Sequence, residues 1–466
     1  MSTYQILSPR NTARIDAVSH ADAVGAISNF ACCILVRLLL DAAYLIRVMP
    51  RYSYLYGFVA DASFESVALS WVVLLLYAPL FLCRKEKGSI CSLMVAALFI
   101  ISFIPMTTLI AFENVSPGLL LTFLIYWINI AFADRLLQAI SLKNPGNNTR
   151  GLVLDGMIVV FSLSIVYISW HYTDFRISLD ISSDVYYQRM EAREFDMPTV
   201  LQYVFDAGKV VTPLLIVYLL NCRKNVLAVV MSVVQILAFS VDGSKATLFY
   251  LVFVLVCYFF VKKVDVGIVL KASLLVVLAG LVLFGLTGYG AVIDYGPRRI
   301  MLIPAQLNLD YYDFFSRNTI DFYRQSIFSK MGFPSAYSSD IARLIGLTYH
   351  GSTNMNANNG LYADAYANLG VFGCFMMPYA EVFILKLFEA ASDGLQTSYY
   401  LPAAVMFLFV QISSSFFTAL ITHGLIFIIL ALYLFPRHMG ENSTSLLKNG
   451  STNVSKNGIG HAGLRR

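Results

Sequence analysis

Charge is what this chain has least of. Asp, Glu, Lys and Arg make up 13% of its 466 residues, where a soluble domain carries roughly a quarter. Apolar types reach 58% and the mean hydropathy is +0.69, which points to a chain dissolved in lipid. Cysteine is sparse: Cys32, Cys33, Cys83, Cys91, Cys222, Cys257 and Cys374 all fall in apolar runs or at their ends. Their spacing argues against a disulfide framework and against a metal site, and leaves them as small apolar fillers. A cleavable leader is not expected, because the first apolar stretch follows a polar one and contains Arg37 and Asp41. It reads as a first span that stays. The net charge of +5 reports short loops rather than nucleic acid. No internal repeat is visible.

What is there is a series of apolar runs. A spanning helix needs roughly 20 mostly apolar residues. Spans are expected near 22–46, 64–83, 90–112, 117–134, 152–172, 199–221, 225–240, 247–262, 267–289, 363–388, 400–418 and 420–437. The fold class expected is therefore all-α and polytopic, with about twelve transmembrane helices. The basic clusters Arg84-Lys85-Glu86-Lys87, Arg135/Lys143/Arg150, Arg223-Lys224 and Lys262-Lys263, and Arg437-His438, occupy alternate connections. Lys and Arg of short loops stay cytoplasmic, so both termini are expected inside. The chain then divides into 1–289 (nine helices), 290–362 (a large outer loop), 363–437 (three helices) and 438–466 (a disordered cytoplasmic tail). The outer loop holds Arg298-Arg299, Tyr311-Tyr312-Asp313-Phe314-Phe315, Arg317, Asp321, Arg324 and Arg343. So many aromatics argue for a folded cap rather than disorder.

Ionisable residues inside spans are costly and mark function by default. Arg37 and Asp41 share one face of the first span; Asp206 and Lys209 lie in the sixth, Lys209 roughly 15 Å from its outer end. Asp242 and Lys245 occupy the turn between the seventh and eighth spans, and Asp364 opens the tenth. Ser413, Ser414, Ser415 and Thr418 lie in the outer part of the eleventh. Only Asp155, Glu381 and Lys386 fall toward the inside, where snorkelling is expected. The polar residues thus gather under the outer leaflet. Cations there suit a diphosphate, whose departure they would stabilise, and aromatic rings suit sugar faces. Blander roles compete. Arg37–Asp41 and Asp206–Lys209 also fit as packing pairs, Lys245 and Arg298-Arg299 as interfacial anchors. The serines fit interhelical hydrogen bonding, and His171 and His423 fit packing. His350, just before the tenth span, is the one histidine weighed as a base.

The stretch Asn356-Ala357-Asn358-Asn359-Gly360-Leu361-Tyr362-Ala363-Asp364-Ala365-Tyr366-Ala367-Asn368-Leu369-Gly370-Val371-Phe372-Gly373 resembles the segment entering a late span of bacterial O-antigen polymerases. The preceding long outer loop is also their arrangement, and Asp242-Gly243-Ser244-Lys245 resembles their small-residue-plus-cation turn. The wider group includes the O-antigen ligases. The resemblance implies a GT-C-like glycosyltransferase of lipopolysaccharide biosynthesis, free of metal and cofactor, in the bacterial inner membrane. Its partners would be membrane lipid, undecaprenyl-diphosphate-linked oligosaccharides and a chain-length regulator. It further implies Lys245, Arg298 and Arg299 as diphosphate ligands, with Arg37, Lys209, Arg317 and Asn359 as further substrate contacts. Asp364 and His350 become the candidate catalytic residues. In the ligases a histidine–asparagine pair opens the late span; here the matching positions are Asn358-Asn359, without the histidine. A flippase or secondary transporter is the main rival, since its commonest layout is also about twelve spans.

Overall fold

The computed structural model describes residues 9–83, 88–143, 147–177, 184–326, 328, 331–352 and 354–437. The basic loop 84–87 and the tail 438–466, with His438, lie outside the described residues. Those described are helical, with no strand among them.

The first helix, α1 (Pro9–Ala43), runs through a wide π-type segment, Tyr44–Val48, into α2 (Met49–Tyr56). Then come α3 (Phe64–Leu82), α4 (Ile90–Leu98), a second π segment, α5 (Ile104–Phe112), α6 (Pro117–Leu136) and α7 (Asn147–Thr173). Next are α8 (Asp184–Arg193), α9 (Thr199–Asn221), α10 (Asn225–Asp242), α11 (Lys245–Phe260) and α12 (Val266–Thr287). Helix α13 (Ala291–Ile293) continues through a π segment, Asp294–Leu302, into α14 (Ile303–Arg317). The last are α15 (Ile341–His350), α16 (Tyr362–Ser392), α17 (Thr397–Ser413) and α18 (Leu425–Leu434).

Among the described residues, eight helices are long and apolar enough to cross a membrane: α3, the run Ile90–Phe112, α6, Thr149–Thr173, α9, α10, α12 and the run Leu361–Ser392. The chain is therefore a multi-pass membrane protein. The spans expected near 247–262, 400–418 and 420–437 correspond to shorter apolar helices, α11, α17 and α18. The expectation near 22–46 falls on α1 and its π extension.

Two compact units emerge. One comprises residues 1–142, 262–391 and 403–429, the other 143–261, 392–402 and 430–466. At the centre of the first is the run Ile90–Phe112, with 89% of its apolar window buried against 17% for α12. Phe99 and Phe103 stack at 4.9 Å, Phe81 on Phe99 at 4.6 Å, and Trp127 meets Phe103 edge-on at 5.5 Å. Offset and edge-on rings of this kind add to simple packing. The remaining surface of α12 carries Leu275, Val276, Leu278, Val282 and Leu286, all exposed, as a lipid-facing helix requires.

In the second unit α7, α9 and α10 pack through Ile165, Ile168, Phe205, Val234, Leu237 and Val241. Pro213 lacks an N–H and so frees the Lys209 carbonyl one turn back. Gln235 Nε2 fills that gap at 2.8 Å, and reaches the Thr247 carbonyl at 3.1 Å.

Helix α16 is not one straight span. Gly370 has φ 59°, ψ −141°, a conformation essentially open to glycine alone, and the chain reverses there. A Cβ on Gly373 would collide with the Ala365 carbonyl, a residue two turns away in an unbroken helix. Residues 362–369 therefore form a short re-entrant helix folded back beside Val371–Ser392, which alone is long enough to cross. Asp364 does not open the span from outside, as the sequence suggested; it sits before the reversal, inside the protein. The backbone groups freed by the break find partners. Asp321 and Phe322 N–H groups donate to the carbonyls of Ala367 and Asn368, both at 3.0 Å, which caps the short helix.

Candidate functional site

The re-entrant helix forms one wall of a polar cavity of about 140 Å³ in the first unit. Tyr311, Asp321, Tyr323, Gln325 and Asp340 of the 290–362 segment form a second wall; Ser414, Ser415, Thr418 and His423 form a third. That third wall exists because α17 ends at Ser413 and α18 begins only at Leu425. Between the two, the chain is irregular at 414–415 and 423–424 and helical only over 416–422, where it widens into a π segment, Thr418–Thr422. Such backbone is tolerated where it lines a cavity or is buried in protein. Gly360 N–H donates to the Ile412 carbonyl at 2.7 Å and ties the two irregular stretches together.

Asp364, 3% exposed, lies in this cavity. Its Oδ2 accepts from the Tyr323 hydroxyl at 3.1 Å and the Phe416 N–H at 2.9 Å; its Oδ1 accepts from Asn368 Nδ2 at 2.8 Å. A carboxylate offers about four acceptor sites, so one remains for a ligand. Asp321 is fully buried, with Ser335 Oγ at 2.5 Å and the Gln325 N–H at 2.8 Å. Asp340 caps α15 through the Ala342 N–H at 2.8 Å. Asn359 donates to Asn308 Oδ1 and to the Pro304 carbonyl, both at 3.0 Å. Three of the six described non-glycine residues with positive φ, Leu361, Phe322 and Tyr323, stand in or next to this wall; strain of that kind gathers at functional sites.

Among the described residues the cavity lining contains three aspartates and no Lys or Arg. The cations expected under the outer leaflet lie elsewhere. Arg37 is fully buried and committed: it pairs with Asp41, donates to Thr107 Oγ1 at 2.8 Å and Ser70 Oγ at 3.2 Å, and sits 5.2 Å over Trp71. It is a packing residue, not a phosphate ligand. Lys209 is enclosed by two carboxylates, Asp206 at 2.6 Å and Asp242 at 2.5 Å, which leaves a negative rather than a positive cluster. Arg317 is exposed and pairs with Asp313 one turn back at 2.5 Å. Lys245 is exposed at the start of α11 in the second unit.

Arg298 and Arg299 form the core of a basic patch in the first unit. Arg298 lies 3.9 Å over the Tyr52 ring, and Arg299 is exposed. Sequence reasoning missed Arg47, which reaches Asp294 in a fork at 2.7 and 3.2 Å. Arg51, next to Tyr52 in the chain, is also exposed. Asp294 is the acid that holds Arg47 in this patch.

His350 is not poised as a base. Its Nε2 faces Asp310 Oδ2 at 3.1 Å and its Nδ1 faces the Leu55 carbonyl at 3.0 Å. Burial alone would lower its pKa, but the Asp310 carboxylate and the Leu55 carbonyl outweigh burial and hold it above the ordinary histidine value. A ring donating from both nitrogens has no lone pair to offer, and His350 does not line the cavity. His423, read as a packing residue, does line it. Glu381 and Lys386 do not snorkel. Glu381 is 2% exposed and accepts from the Tyr126 hydroxyl, and Lys386 is buried between Asp134 at 3.6 Å and Glu389 at 3.7 Å.

Comparison with known proteins finds no family model, no curated protein and no solved structure that matches this chain.

Proposed function

We propose that this protein polymerises lipid-diphosphate-linked oligosaccharide units into a surface polysaccharide, at the outer face of a bacterial inner membrane. In this reading the chain crosses about twelve times in a GT-C-like arrangement, with both termini cytoplasmic. The observation that carries it is the re-entrant helix. The same residues that resemble the polymerase segment, Asn356 to Gly373, wall a polar cavity with Asp364 inside.

The chemistry divides between the two regions. Asp364 accepts the proton of an acceptor sugar hydroxyl in the cavity as that oxygen attacks the anomeric carbon of the donor glycan. The new C–O bond forms as the bond from the anomeric carbon to the diphosphate oxygen breaks, and the electron pair leaves with undecaprenyl diphosphate. The basic patch holds the lipid diphosphate before it reaches the cavity and after it leaves. Arg298 and Arg299 are its diphosphate ligands, with Arg47 held in place by Asp294; Lys245 keeps its proposed role as a cation for lipid diphosphate. Tyr311, Tyr323, Asn359 and Asn368 line the sugar path. A chain-length regulator completes the set of partners.

A second reading has an observation in its favour. Broken helices meeting at membrane depth are also how secondary transporters build a midplane site. The test is the lipopolysaccharide ladder of a bacterial strain deleted for this gene and complemented with wild type, Asp364→Asn or Lys245→Glu. The polymerase reading expects lipid A-core bearing one repeat unit and no ladder in the deletion strain, and the same in both variants at normal membrane levels. Core bearing no unit sinks it in favour of a flippase or ligase. Polymer accumulating on its lipid carrier then marks the ligase, and its absence the flippase. A normal ladder in Lys245→Glu removes that residue from the diphosphate site.

A further inference from the structure

Glu381 has no part in the chemistry above, yet its surroundings are specific. It lies ten residues beyond the point where α16 restarts at Val371, so ~15 Å below the outer end of the crossing helix, near the middle of a ~30 Å hydrocarbon core. Among the described residues its one hydrogen-bonding partner is the Tyr126 hydroxyl on α6, and it has no ion pair. Lys386, on the same helix, is taken by Asp134 and Glu389. The other titratable groups within electrostatic reach are Asp364 and Tyr323.

Glu381 faces a void of about 10 Å³ whose other walls are mainly apolar: Leu361, Ile384, Phe407, Phe416 and Leu420. Two polar side chains share it, Gln411 and Ser414. Gln411 is 6% exposed, and its Oε1 is buried without a hydrogen-bond donor. An orphaned acceptor of this kind is costly, and so is a bare carboxylate in an apolar wall with a single donor. Glu381 and Gln411 line the same void, so a proton on Glu381 would neutralise the carboxylate and, through one water, supply the donor that the Gln411 oxygen lacks. The void is about the size that one water needs, with polar partners to hold it. Ser414 lines this void and also the cavity that contains Asp364, and Phe416, on the void wall, donates its N–H to Asp364.

We propose that Glu381 is a proton-binding site in the membrane interior that exchanges its proton with the Asp364 cavity, through Ser414 and one water held by Gln411. Only O–H bonds form and break. A proton on the cavity side passes to the water, the water releases one to the Glu381 carboxylate, and the return path reverses both steps. The site goes beyond polymerisation, since its operation needs no sugar.

The test is infrared difference spectroscopy of the full-length protein in lipid nanodiscs during a pH step, with no substrate present. The expected result is a carboxylic-acid carbonyl band that is absent in Glu381→Gln, shifted in frequency in Gln411→Leu, and slowed in hydrogen–deuterium exchange in Ser414→Ala. A Glu381→Gln spectrum identical to wild type overturns the site. A Glu381 band indifferent to both Asp364→Asn and Ser414→Ala overturns its connection to the cavity. Because the readout is spectroscopic, these outcomes stand whether or not the protein makes polymer.

Discussion

The cavity around Asp364 and the patch around Arg298 belong to one unit and draw on one continuous helical run, from Ala291 to Arg317, yet they are built to opposite rules. Along 13 residues, ~20 Å of helix, that run passes from two arginines to Tyr311 in a cavity lined, among the described residues, by three aspartates. The patch uses exposed or half-exposed cations resting on aromatic rings. The cavity uses buried carboxylates whose oxygens are partly occupied by backbone and side-chain donors. What the difference teaches is that two kinds of binding are kept apart: under the proposed function, the docking of the donor's lipid diphosphate is separable by mutation from the chemistry at Asp364.

Asp364→Asn is the sharpest way to break that separation. General acid–base groups contribute roughly 10²- to 10⁴-fold, so polymer formation in proteoliposomes falls by about that factor while the KM for the lipid-linked donor changes little. A donor KM that rises in step with the lost rate merges the two regions into one.

Next in size are the glycines that place the carboxylate. Gly370→Ala forces a side chain into a conformation that costs about 1–3 kcal/mol, and Gly373→Ala sets a methyl against the Ala365 carbonyl. Both lower the thermal unfolding midpoint of the detergent-solubilised protein and abolish polymer. Neither changes binding of a lipid diphosphate to the patch. Lost diphosphate binding in Gly373→Ala means that the patch depends on the re-entrant fold.

Arg299→Glu probes the other side and is smaller. An exposed cation replaced by an anion beside a diphosphate raises the donor KM about 10-fold, or roughly 1.4 kcal/mol, with kcat within about twofold. Raising the salt concentration narrows the gap, because exposed charges are screened. An unchanged KM at low salt removes Arg299 from the donor site.

The legible part of this molecule was its apolar periodicity. The long helices followed from run length and residue type, whereas the Asn356–Gly373 stretch was singled out through its resemblance to the polymerase segment. Depth was not legible. Run length gives one span near 363–388, and only the backbone angles at Gly370 reveal that the first two turns of α16 point the other way. Charge was legible as composition but not as partnership. Arg37 and Lys209 look like ligands in a list of buried cations and become packing residues once Asp41, Asp206 and Asp242 are seen beside them. Arg47 escaped notice and Glu381 was expected to snorkel, because their meaning depends on residues hundreds of positions away (Asp294, Tyr126).

The smallest effect concerns the element that links the two regions from outside. His350, at the end of α15, joins that helix to Asp310 on α14 and to the chain at Leu55. Its pKa in the folded protein is raised above the unfolded value, so its contribution is complete below histidine's ordinary range and fades as pH rises through the folded value. Hydrogen exchange of the α15 amides in nanodiscs should therefore speed up, beyond the intrinsic base-catalysed rate, as the pH moves from mildly acidic to alkaline. His350→Gln removes the titrating group and should flatten that dependence, while the activity that depends on Asp364 keeps its own pH profile. An activity profile that loses its histidine limb in His350→Gln would instead put the base outside the cavity and collapse the division between the two regions.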